Sequence, residues 1–431
     1  MPVVGSVFLP LVRGGRTTAA GVGSDYVRAT DYPSLQAAAD AAAQLPARRL
    51  YMPAGVYTDP HTSGDILALA SDMDVWGDGE EKTILNLPPN PTGNIFGIRL
   101  YGPRARVAGL SVHGAQVGAF NQYGVSATFG AEGWRLSDLT VSGVTGMAQA
   151  GGVAFDFYQP STVNGGWHNG AAERLTAREN GSACGMVVNS QGNTFRDCVF
   201  VANGATSYQH NVYVQGGGNA FDRCSAERAS GYNWHNYAAV PDRLASHNVY
   251  HACTSVDPLG AHFIATSVAA GATNPDVPAG TPLNRGVMLD ACTFRRTKNG
   301  PAGGGLGFSV PASIVGCTFE DVMGSAGAWI GASSGGARLL GNLFRMTATP
   351  PNVNIYGIVC AGGAIVAENQ FINWLIGTAI RADGLALIND NVLDLFGGIG
   401  IHTNGADVRT RNNVCSLHGS AKATYGSVVT A

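Results

Sequence analysis

One short window recurs along most of this chain and constrains its fold more than any other feature. Each window places a Leu, a Cys or an Asn between a polar or small residue and a short stretch that is mostly apolar. The central residues are Leu110, Leu139, Leu175, Cys198, Cys224, Cys253, Cys292, Cys317, Asn342, Asn369, Asn391 and Asn413. Neighbouring members are separated by 22 residues (Asn369 to Asn391) to 39 residues (Cys253 to Cys292). Such a period, with occasional insertions, is typical of a solenoid whose repeats bury a core only by stacking.

The repeat is built from strands rather than helices. The segments 152–157, 184–188 and 356–360 are short, rich in β-formers and flanked by turn residues, and they lack a 3.6-residue period. Two or three such strands in each repeat predict an all-β, single-stranded parallel β-helix of about 12 coils. Equivalent residues of adjacent coils then lie about 4.8 Å apart along the axis.

The Cys and Asn positions are therefore expected to form one file inside the wall of the helix. Buried Asn side chains can exchange hydrogen bonds with the next coil, and Cys acts there as a small apolar residue. The spacing of adjacent coils would permit a disulfide on distance alone, but we expect reduced, stacked thiols. The chain has no C-x-x-C spacing, which argues against a zinc site.

Composition excludes several classes of protein. Among 431 residues, 60 are Gly, but they follow no three-residue period, so the chain is not collagen-like. Its formal net charge is −3 and it has no run rich in Lys or Arg, so we expect no nucleic-acid partner. No apolar run approaches the length of a membrane span, so we expect no membrane partner.

The N-terminal region is expected to be an arm over residues 1–25, followed by one β-helix domain over residues 26–431. The arm lacks the basic segment of a secretory signal. We expect an extracellular protein or a part of a phage virion. Asp31, Pro33 and the Ala-rich run that follows predict a helix over about 31–45, which would cap the exposed edge of the first coil.

Three phrases near the N-terminus carry a family resemblance: YPSLQAAADAAAQ, RRLYMPAGVYT and VWGDGEEKTILNL. Together they resemble the opening of the pectate-lyase-like, right-handed parallel β-helix superfamily. That superfamily includes polysaccharide lyases, glycoside hydrolases, epimerases and phage tailspike depolymerases. The resemblance implies a right-handed helix and a polysaccharide substrate. Tailspike relatives are commonly trimers, and a homotrimer is one way to protect the C-terminal end of this helix.

The chain departs from two familiar members of that superfamily. It lacks the paired Asp and Gly-His-Gly set of polygalacturonases, and it lacks the Arg-x-Pro-x-x-Arg motif of calcium-dependent pectate lyases. We expect no cofactor. Asp72, Asp74, Asp78 and Glu80 form an acidic stretch that could hold calcium, although a solvated turn explains the stretch as well.

The functional face is expected where the repeat is interrupted. The two longest steps carry insertions around 158–169 and 267–285, which would form two walls of a groove. Most coils enter the groove strand through Gly, whereas three central coils carry His210, His235 and His262 there. We expect these three histidines to stack near one another. Tyr213 and Tyr237 follow the first two and should project from the same face.

This cluster predicts a glycan site, with packing of polar residues between coils as the alternative. For β-elimination of an acidic glycan, His210 or His235 could be the base and Tyr213 or Tyr237 the acid. Arg223, Arg228 or Arg243 could neutralise the substrate carboxylate. Further candidate substrate-binding residues are Tyr158, Trp167, His168, Trp234 and His262.

A glycoside hydrolase or a glycosyl-transferring enzyme is the second interpretation, because such enzymes need two carboxyl groups across the bond. Asp156 and Asp242 are the best candidates for that pair. The other acidic candidates are Glu179, Asp197, Asp222, Glu227 and Asp257, of which Asp197 and Asp222 more plausibly cap turns. A non-catalytic glycan-binding or structural fibre is the third interpretation.

Overall fold

The computed structural model describes residues 25–431 with short gaps, and its described part is a stack of strands. The gaps are 90, 116–119, 129, 147–150, 156–167, 182, 239–244, 268–283, 285, 298–303, 323–327, 333–335, 350–354, 405–406, 426–428 and 431. Over the described residues the strands form a wide sheet of 27 strands and a narrow sheet of 14 strands, in which every recorded pairing is parallel. The N-terminal arm predicted for 1–25 lies almost entirely outside the described residues.

Each coil contributes one strand to the narrow sheet. These strands are Gly64–Leu69, Ile95–Leu100, Gln122–Ala127, Gly151–Phe155, Cys184–Val188, Val212–Val214, Trp234–Ala238, Ala261–Ser267, Gly304–Phe308, Ala328–Ala332, Tyr356–Cys360, Thr378–Ala382, Ile399–Thr403 and Lys422–Tyr425. We number the coils from one to fourteen by these strands. The first two coils precede the first member of the predicted file, which is why the sequence suggested about twelve.

The wide sheet receives up to two short strands from each coil. Its strands are Val27–Arg28, Arg49–Met52, Gly55–Thr58, Asp74–Gly77, Thr83–Asn86, Arg106–His113, Arg135–Ser142, Ala171–Arg178, Thr194–Arg196, Val199–Val201, Ala220–Asp222, Ser225–Glu227, Asn248–His251, Thr254–Val256, Val287–Asp290, Thr293–Arg295, Ala312–Val315, Thr318–Glu320, Arg338–Leu340, Leu343–Arg345, Ala364–Ala367, Gln370–Trp374, Ala386–Asn389, Val392–Leu395, Val408–Arg411, Val414–Leu417 and Val429–Thr430. The chain thus runs from the narrow sheet through two segments of the wide sheet and back, once per coil.

A left-handed residue bends the wide sheet in twelve successive coils. The residue just before each member of the predicted file has a positive φ, from 49° at Ala252 to 67° at Gly109. Several of these residues are not glycine, for example Asp138 and Arg174, both at 53°. A non-glycine residue accepts this conformation only where the surroundings enforce it. The repeated bend turns the chain so that the file residue points into the wall.

The predicted file exists. Leu110, Leu139 and Leu175 are direct neighbours in register. In the C-terminal coils the Asn342 side chain donates to Oδ1 of Asn369 at 2.9 Å, and the same contact recurs from Asn369 to Asn391 at 2.9 Å. The backbone N–H of each of these residues donates to the same oxygen of the next coil.

The five file cysteines also contact the preceding coil. The thiol of Cys224 donates to the carbonyl of Phe195 at 3.5 Å, and the thiol of Cys317 donates to the carbonyl of Leu289 at 3.7 Å. At the junction the N–H of Cys317 donates to Oδ1 of Asn342 at 2.9 Å. All eight cysteines of the chain are free. Five Cys are thus followed by four Asn in one file, because both residue types donate from a short side chain to a backbone carbonyl of the preceding coil, as Asn369 does to Leu339 at 2.9 Å.

The interior is filled by stacked rings and by further asparagine files. Phe195, Phe221 and Tyr250 stack in adjacent coils, with ring centroids 4.8 Å and 4.7 Å apart. A second ring stack consists of Phe294, Phe319, Phe344 and Phe371. Asn193, Asn219 and Asn248 form another buried file, and Asn180, Asn203, Asn211 and Asn233 form a third. The sequence reasoning missed both of these files.

The N-terminal cap is a helix, Leu35–Ala43, shorter than the predicted 31–45. It begins after Ser34, whose side chain accepts from the N–H of Ala37 at 3.1 Å, because Asp31 belongs to a preceding 3-10 turn. Gln36 on the helix bonds the backbone N–H of Ala68 at 2.8 Å, so it satisfies part of the open edge of the first coil. The helix buries Leu35 and three Ala side chains against that coil.

We expect Ser34→Ala to lower the free energy of unfolding by about 1 kcal/mol, because the substitution removes the N-cap acceptor. Chemical denaturation measures the change. Ser34→Asp restores an acceptor at the same position and should recover most of the loss. Equal destabilisation by both substitutions would contradict the capping role.

Candidate functional site

The outer face of the narrow sheet carries the predicted histidine and tyrosine cluster in coils six and seven. Tyr213 pairs directly with His235, and His235 pairs with Ile264 of the next coil. The register predicted from the sequence, which matched His210 with His235, is therefore wrong. His210 instead lies three positions before Tyr213, beside Tyr232 of the following coil, and the two rings stack at 4.8 Å.

His210 and His235 nevertheless meet. Nε2 of His210 lies 2.9 Å from Nδ1 of His235, and the two rings are nearly perpendicular. The backbone N–H of Tyr232 donates to Nδ1 of His210 at 3.0 Å. Since that nitrogen accepts, a neutral His210 carries its proton on Nε2 and donates it to Nδ1 of His235. A neutral His235 must then carry its own proton on Nε2.

Both histidines are held in the neutral form. Burial lowers the pKa of His210 to about 3. Burial also lowers the pKa of His235 well below its usual value, and the charge on a protonated His210 lowers it further. The pair is therefore uncharged near pH 7. Among the described residues, Nε2 of His235 has no hydrogen-bond partner, so its N–H is available to a ligand.

Two tyrosines complete the cluster. Tyr237 lies two residues after His235, and its ring stacks on the imidazole at 5.3 Å with an angle of 5°. Tyr213 lies 5.0 Å from the His235 ring and packs with Cys184 and Val187 in a small cluster separate from the main core. Tyr213 and Tyr237 therefore lie on the same face as His235, although in a different register from the predicted one.

His262 lies apart from this cluster, so the prediction that all three histidines stack together is wrong. His262 is fully buried, and its ring nitrogens contact the hydroxyls of Ser255 at 2.8 Å and Thr297 at 3.1 Å. It lies just before Phe263, as Asn233 does before Trp234 in the preceding coil. Gly185 has the equivalent place, where an added Cβ would approach the Asn203 side chain at 2.5 Å. Side chains at the position shared by His262 and Asn233 therefore point into the interior of the β-helix.

Two more predicted substrate contacts are buried. Trp234 is 1% exposed and its ring packs against Phe200, Phe221 and Tyr250 of the core. His168 is also fully buried, where Nε1 of Trp134 donates to its Nδ1 at 3.4 Å. Neither ring has a face that a sugar can reach, so the predictions for Trp234, His168 and His262 as substrate contacts are wrong.

Arg223 and Arg228, two of the arginines predicted to bind the substrate carboxylate, lie in different environments. Arg223 lies at the bend of the wide sheet, where it binds Asp197 at 2.8 Å and Asp222 at 2.6 Å, so it is not on the outer face of the narrow sheet. These contacts also place Asp197 and Asp222 at this bend, where both bind Arg223. Arg228 is exposed on the turn that leads into the strand Trp234–Ala238, and it stays a candidate.

Five predicted residues lie outside the described residues. They are Asp156, Tyr158, Trp167, Asp242 and Arg243. Asp156 directly follows the strand Gly151–Phe155, and 239–244 directly follows the strand Trp234–Ala238. The gaps 156–167, 239–244 and 268–283 all fall where the chain leaves the narrow sheet for the wide sheet.

The acidic stretch near the cap does not converge on one point. Asp72 binds Arg104 at 2.6 Å, Asp78 accepts from Tyr51, and Glu80 accepts from Thr140 at 2.7 Å. Among the described residues, no three His, Cys, Asp or Glu side chains gather as metal ligands. A search of the same residues finds no helix that is long and apolar enough to span a membrane.

The acid sensitivity of the fold should follow from its buried histidines. Burial lowers the pKa of His210 and of His262 to about 3. Between about pH 6 and that value, these two histidines are therefore protonated in the unfolded chain and neutral in the folded chain. Each histidine should then reduce the free energy of unfolding by about 1.4 kcal/mol per pH unit on acidification. Denaturant titrations at several pH values should give a flatter dependence for His262→Asn, because Asn233 already fills the equivalent place. Equal slopes for parent and variant would contradict this explanation.

Several solved structures are similar to this chain. The A-module of mannuronan C-5 epimerase AlgE4 from Azotobacter vinelandii is similar over 94% of this chain and 99% of its own, with a TM-score of 0.51 and 13% identity. The catalytic unit of a GH87 alpha-1,3-glucanase from Streptomyces thermodiastaticus matches over 96% of this chain and 71% of its own, with a TM-score of 0.44 and 11% identity. Geobacillus virus E2 ORF18 matches over 84% and 61%, with a TM-score of 0.43 and 14% identity.

The likeness to the AlgE4 A-module concerns the fold. The protein is a parallel β-helix with an N-terminal cap helix, as the sequence predicted. A scan against protein-family profiles and a search of curated proteins give no match.

Proposed function

We propose that the protein is an enzyme that cleaves an acidic polysaccharide by β-elimination, with its reacting centre on the outer face of the narrow sheet around His235. The observation that carries this proposal is the fixed, neutral N–H of His235 between two phenols. The AlgE4 A-module, which shares the fold, is named for an activity on mannuronan. We take a uronic-acid polymer as the substrate class.

The charge that develops in the reaction favours elimination at this centre. Removing the proton beside a uronate carboxylate places negative charge on the carboxylate oxygens, and N–H donors stabilise that charge. Glycoside hydrolysis instead passes through a cationic, oxocarbenium-like state between two carboxyl groups. Within the described residues, no carboxylate contacts the rings of His210, His235 or Tyr237.

The fixed protonation of the pair changes the role that the sequence suggested for histidine. A base must offer an unprotonated nitrogen, but Nε2 of His235 carries a proton as long as Tyr232 N–H occupies Nδ1 of His210. His235 is therefore assigned to donate a hydrogen bond to the developing carboxylate charge. His210 is a positioning residue, and proton transfer falls to Tyr237 or Tyr213, with Arg228 as a candidate for binding the carboxylate.

Hydrolysis or glycosyl transfer by Asp156 and Asp242 is the second candidate. It draws support from the chain connections, since Asp156 directly follows the strand Gly151–Phe155 and the segment with Asp242 directly follows the strand that carries His235. A hydrolase or glycosyl-transferring enzyme and a lyase would act in the same groove. The products of the reaction distinguish the hydrolase from the lyase.

The test is a panel of uronic-acid and neutral polysaccharides, followed by ultraviolet absorbance and by reducing ends. Elimination leaves a double bond, so the proposal expects absorbance and reducing ends to rise together with a uronic-acid polymer. Reducing ends without absorbance would favour the hydrolase. Binding without either product would favour a glycan-binding fibre and overturn the enzyme proposal.

A further inference from the structure

A cavity of about 690 Å³ opens among the first three coils, away from the His235 cluster. Three turns form its walls, and each leads from the wide sheet back to the narrow sheet. They contribute Asp59 and Pro60, Asn86 and Pro88, and His113 with Ala115. Its volume is in the range of sites that hold small ligands. Coil three and coil seven are about 19 Å apart along the axis, from four steps of about 4.8 Å.

The walls of this cavity are fixed before any ligand arrives. The fully buried Gln122 joins two of the turns, because its side-chain N–H donates to the carbonyl of Pro88 at 3.0 Å and its oxygen accepts from the N–H of Ala115 at 3.4 Å. The backbone N–H of Leu87 donates to the carbonyl of His113 at 2.8 Å. A cavity held in this way loses little conformational entropy on binding.

Polar groups without protein partners line the cavity. Within the described residues, neither the imidazole of His113 nor the side-chain amide of Asn86 makes a hydrogen bond. Burial, with a smaller effect of Arg178, lowers the pKa of His113, so its ring is neutral near pH 7. Asp59 is 8% exposed and its carboxylate accepts from the backbone N–H and the ring of His61.

This mixture of surfaces matches one chemical class. The rings of Pro60, Pro88 and Pro89 and the side chain of Leu87 offer apolar faces, as the C–H faces of a sugar ring require. The amide and the imidazole can exchange hydrogen bonds with hydroxyl groups. Among the lining residues, Asp59 is the charged one, and its carboxylate disfavours an anionic sugar.

We propose that this cavity is a second glycan site, separate from the reacting centre, that binds a neutral sugar unit. The proposal rests on the proposed function in that it takes a glycan as the ligand. A polymer that alternates neutral and acidic units could then place a neutral unit in the cavity and an acidic unit beside His235. The cavity would select the substrate without touching the bond that breaks.

Saturation-transfer NMR tests the proposal with millimolar methyl glycosides of glucose, galactose and N-acetylglucosamine, and with methyl glucuronide as the acidic counterpart. At least one neutral glycoside should give a signal, and the glucuronide should give less than a tenth of it. Ala115→Phe, which fills the cavity, should reduce the signal at least tenfold, and Asn86→Ala should weaken it. His418→Ala, at the other end of the helix, serves as the control.

Three results would overturn the proposal: no signal from any of the neutral glycosides, an equal signal from the glucuronide, or an unchanged signal in Ala115→Phe. Melting temperatures show whether each variant is folded, and Asn86→Ala keeps the test valid if Ala115→Phe unfolds. His235→Phe should retain the full signal. If the proposed reacting centre is wrong, His235→Phe cleaves the polymer normally. If the proposed glycan site in the cavity is wrong, only the NMR signal departs from the expected result.

Discussion

Replacing Asn369 by Leu should lower the free energy of unfolding by about 3 kcal/mol, the largest effect that we expect from a single change in the wall. The Asn369 side chain is fully buried and donates to the carbonyl of Leu339 at 2.9 Å and to Oδ1 of Asn391 at 2.9 Å. Its oxygen accepts both N–H groups of Asn342, from the backbone at 3.1 Å and from the side chain at 2.9 Å. Leucine leaves the Asn342 backbone N–H buried without an acceptor.

The substitution Asn369→Cys separates this explanation from simple packing. The file cysteines donate from sulfur to a backbone carbonyl of the preceding coil, as Cys224 does to Phe195 at 3.5 Å, so Cys at 369 should keep the donation to Leu339. We expect Asn369→Cys to cost about half as much as Asn369→Leu. Urea denaturation gives both values, and Asn404→Leu at an exposed site is the control. A larger loss for Cys than for Leu would contradict the role of the file as a series of hydrogen-bonding side chains.

Replacing His235 by Phe should reduce kcat by about 10² to 10³, since it removes a donor aimed at the developing negative charge. The phenyl ring keeps the stacking on Tyr237, so the fold should be retained. His235→Gln keeps an N–H donor and should recover part of the rate. The measurement is the initial rate of unsaturated product on the polymer that the panel identifies.

A change at His210 should act through His235 rather than on the substrate. Without the His210 donor, Nδ1 of His235 is free to take the proton, and its Nε2 then loses the fixed N–H. We expect His210→Phe to lower kcat and to change its pH dependence while KM changes little. Equal activity of parent, His210→Phe and His235→Phe would exclude this pair from the reaction.

The fold was largely predictable because stacking repeats the same local requirement in every coil. The file from Leu110 to Asn413 needed a residue of suitable size at one corner, with a hydrogen-bonding side chain from Cys198 onwards, and that requirement is visible in the sequence. The left-handed residue before each file member was less visible, since Asp, Arg, Ala, Glu, Asn and Gly all occupy that corner. The file that contains Asn193 was missed although its Asn residues recur at coil spacing, and the file that contains Asn203 is harder to see because Asn203 and Asn211 are 8 residues apart.

The site was harder to predict because it depends on register. Matching His210 with His235 placed the rings at the same height, whereas the strands pair His235 with Tyr213. The two histidines still meet because His210 lies on the turn before its strand and reaches the neighbouring coil. His262 and Trp234 were misassigned for a related reason, since two successive positions near the start of these strands, those of His262 and Phe263, both point inward here.

A crystal structure of His235→Phe with an oligosaccharide of the cleaved polymer is the most direct test of where this protein acts. We expect the sugar to lie across the outer face of coils six and seven, with a uronate carboxylate at the place of the missing N–H and its ring beside Tyr237. An oligosaccharide bound at another face, with none on the narrow sheet, would contradict the assignment of the reacting centre.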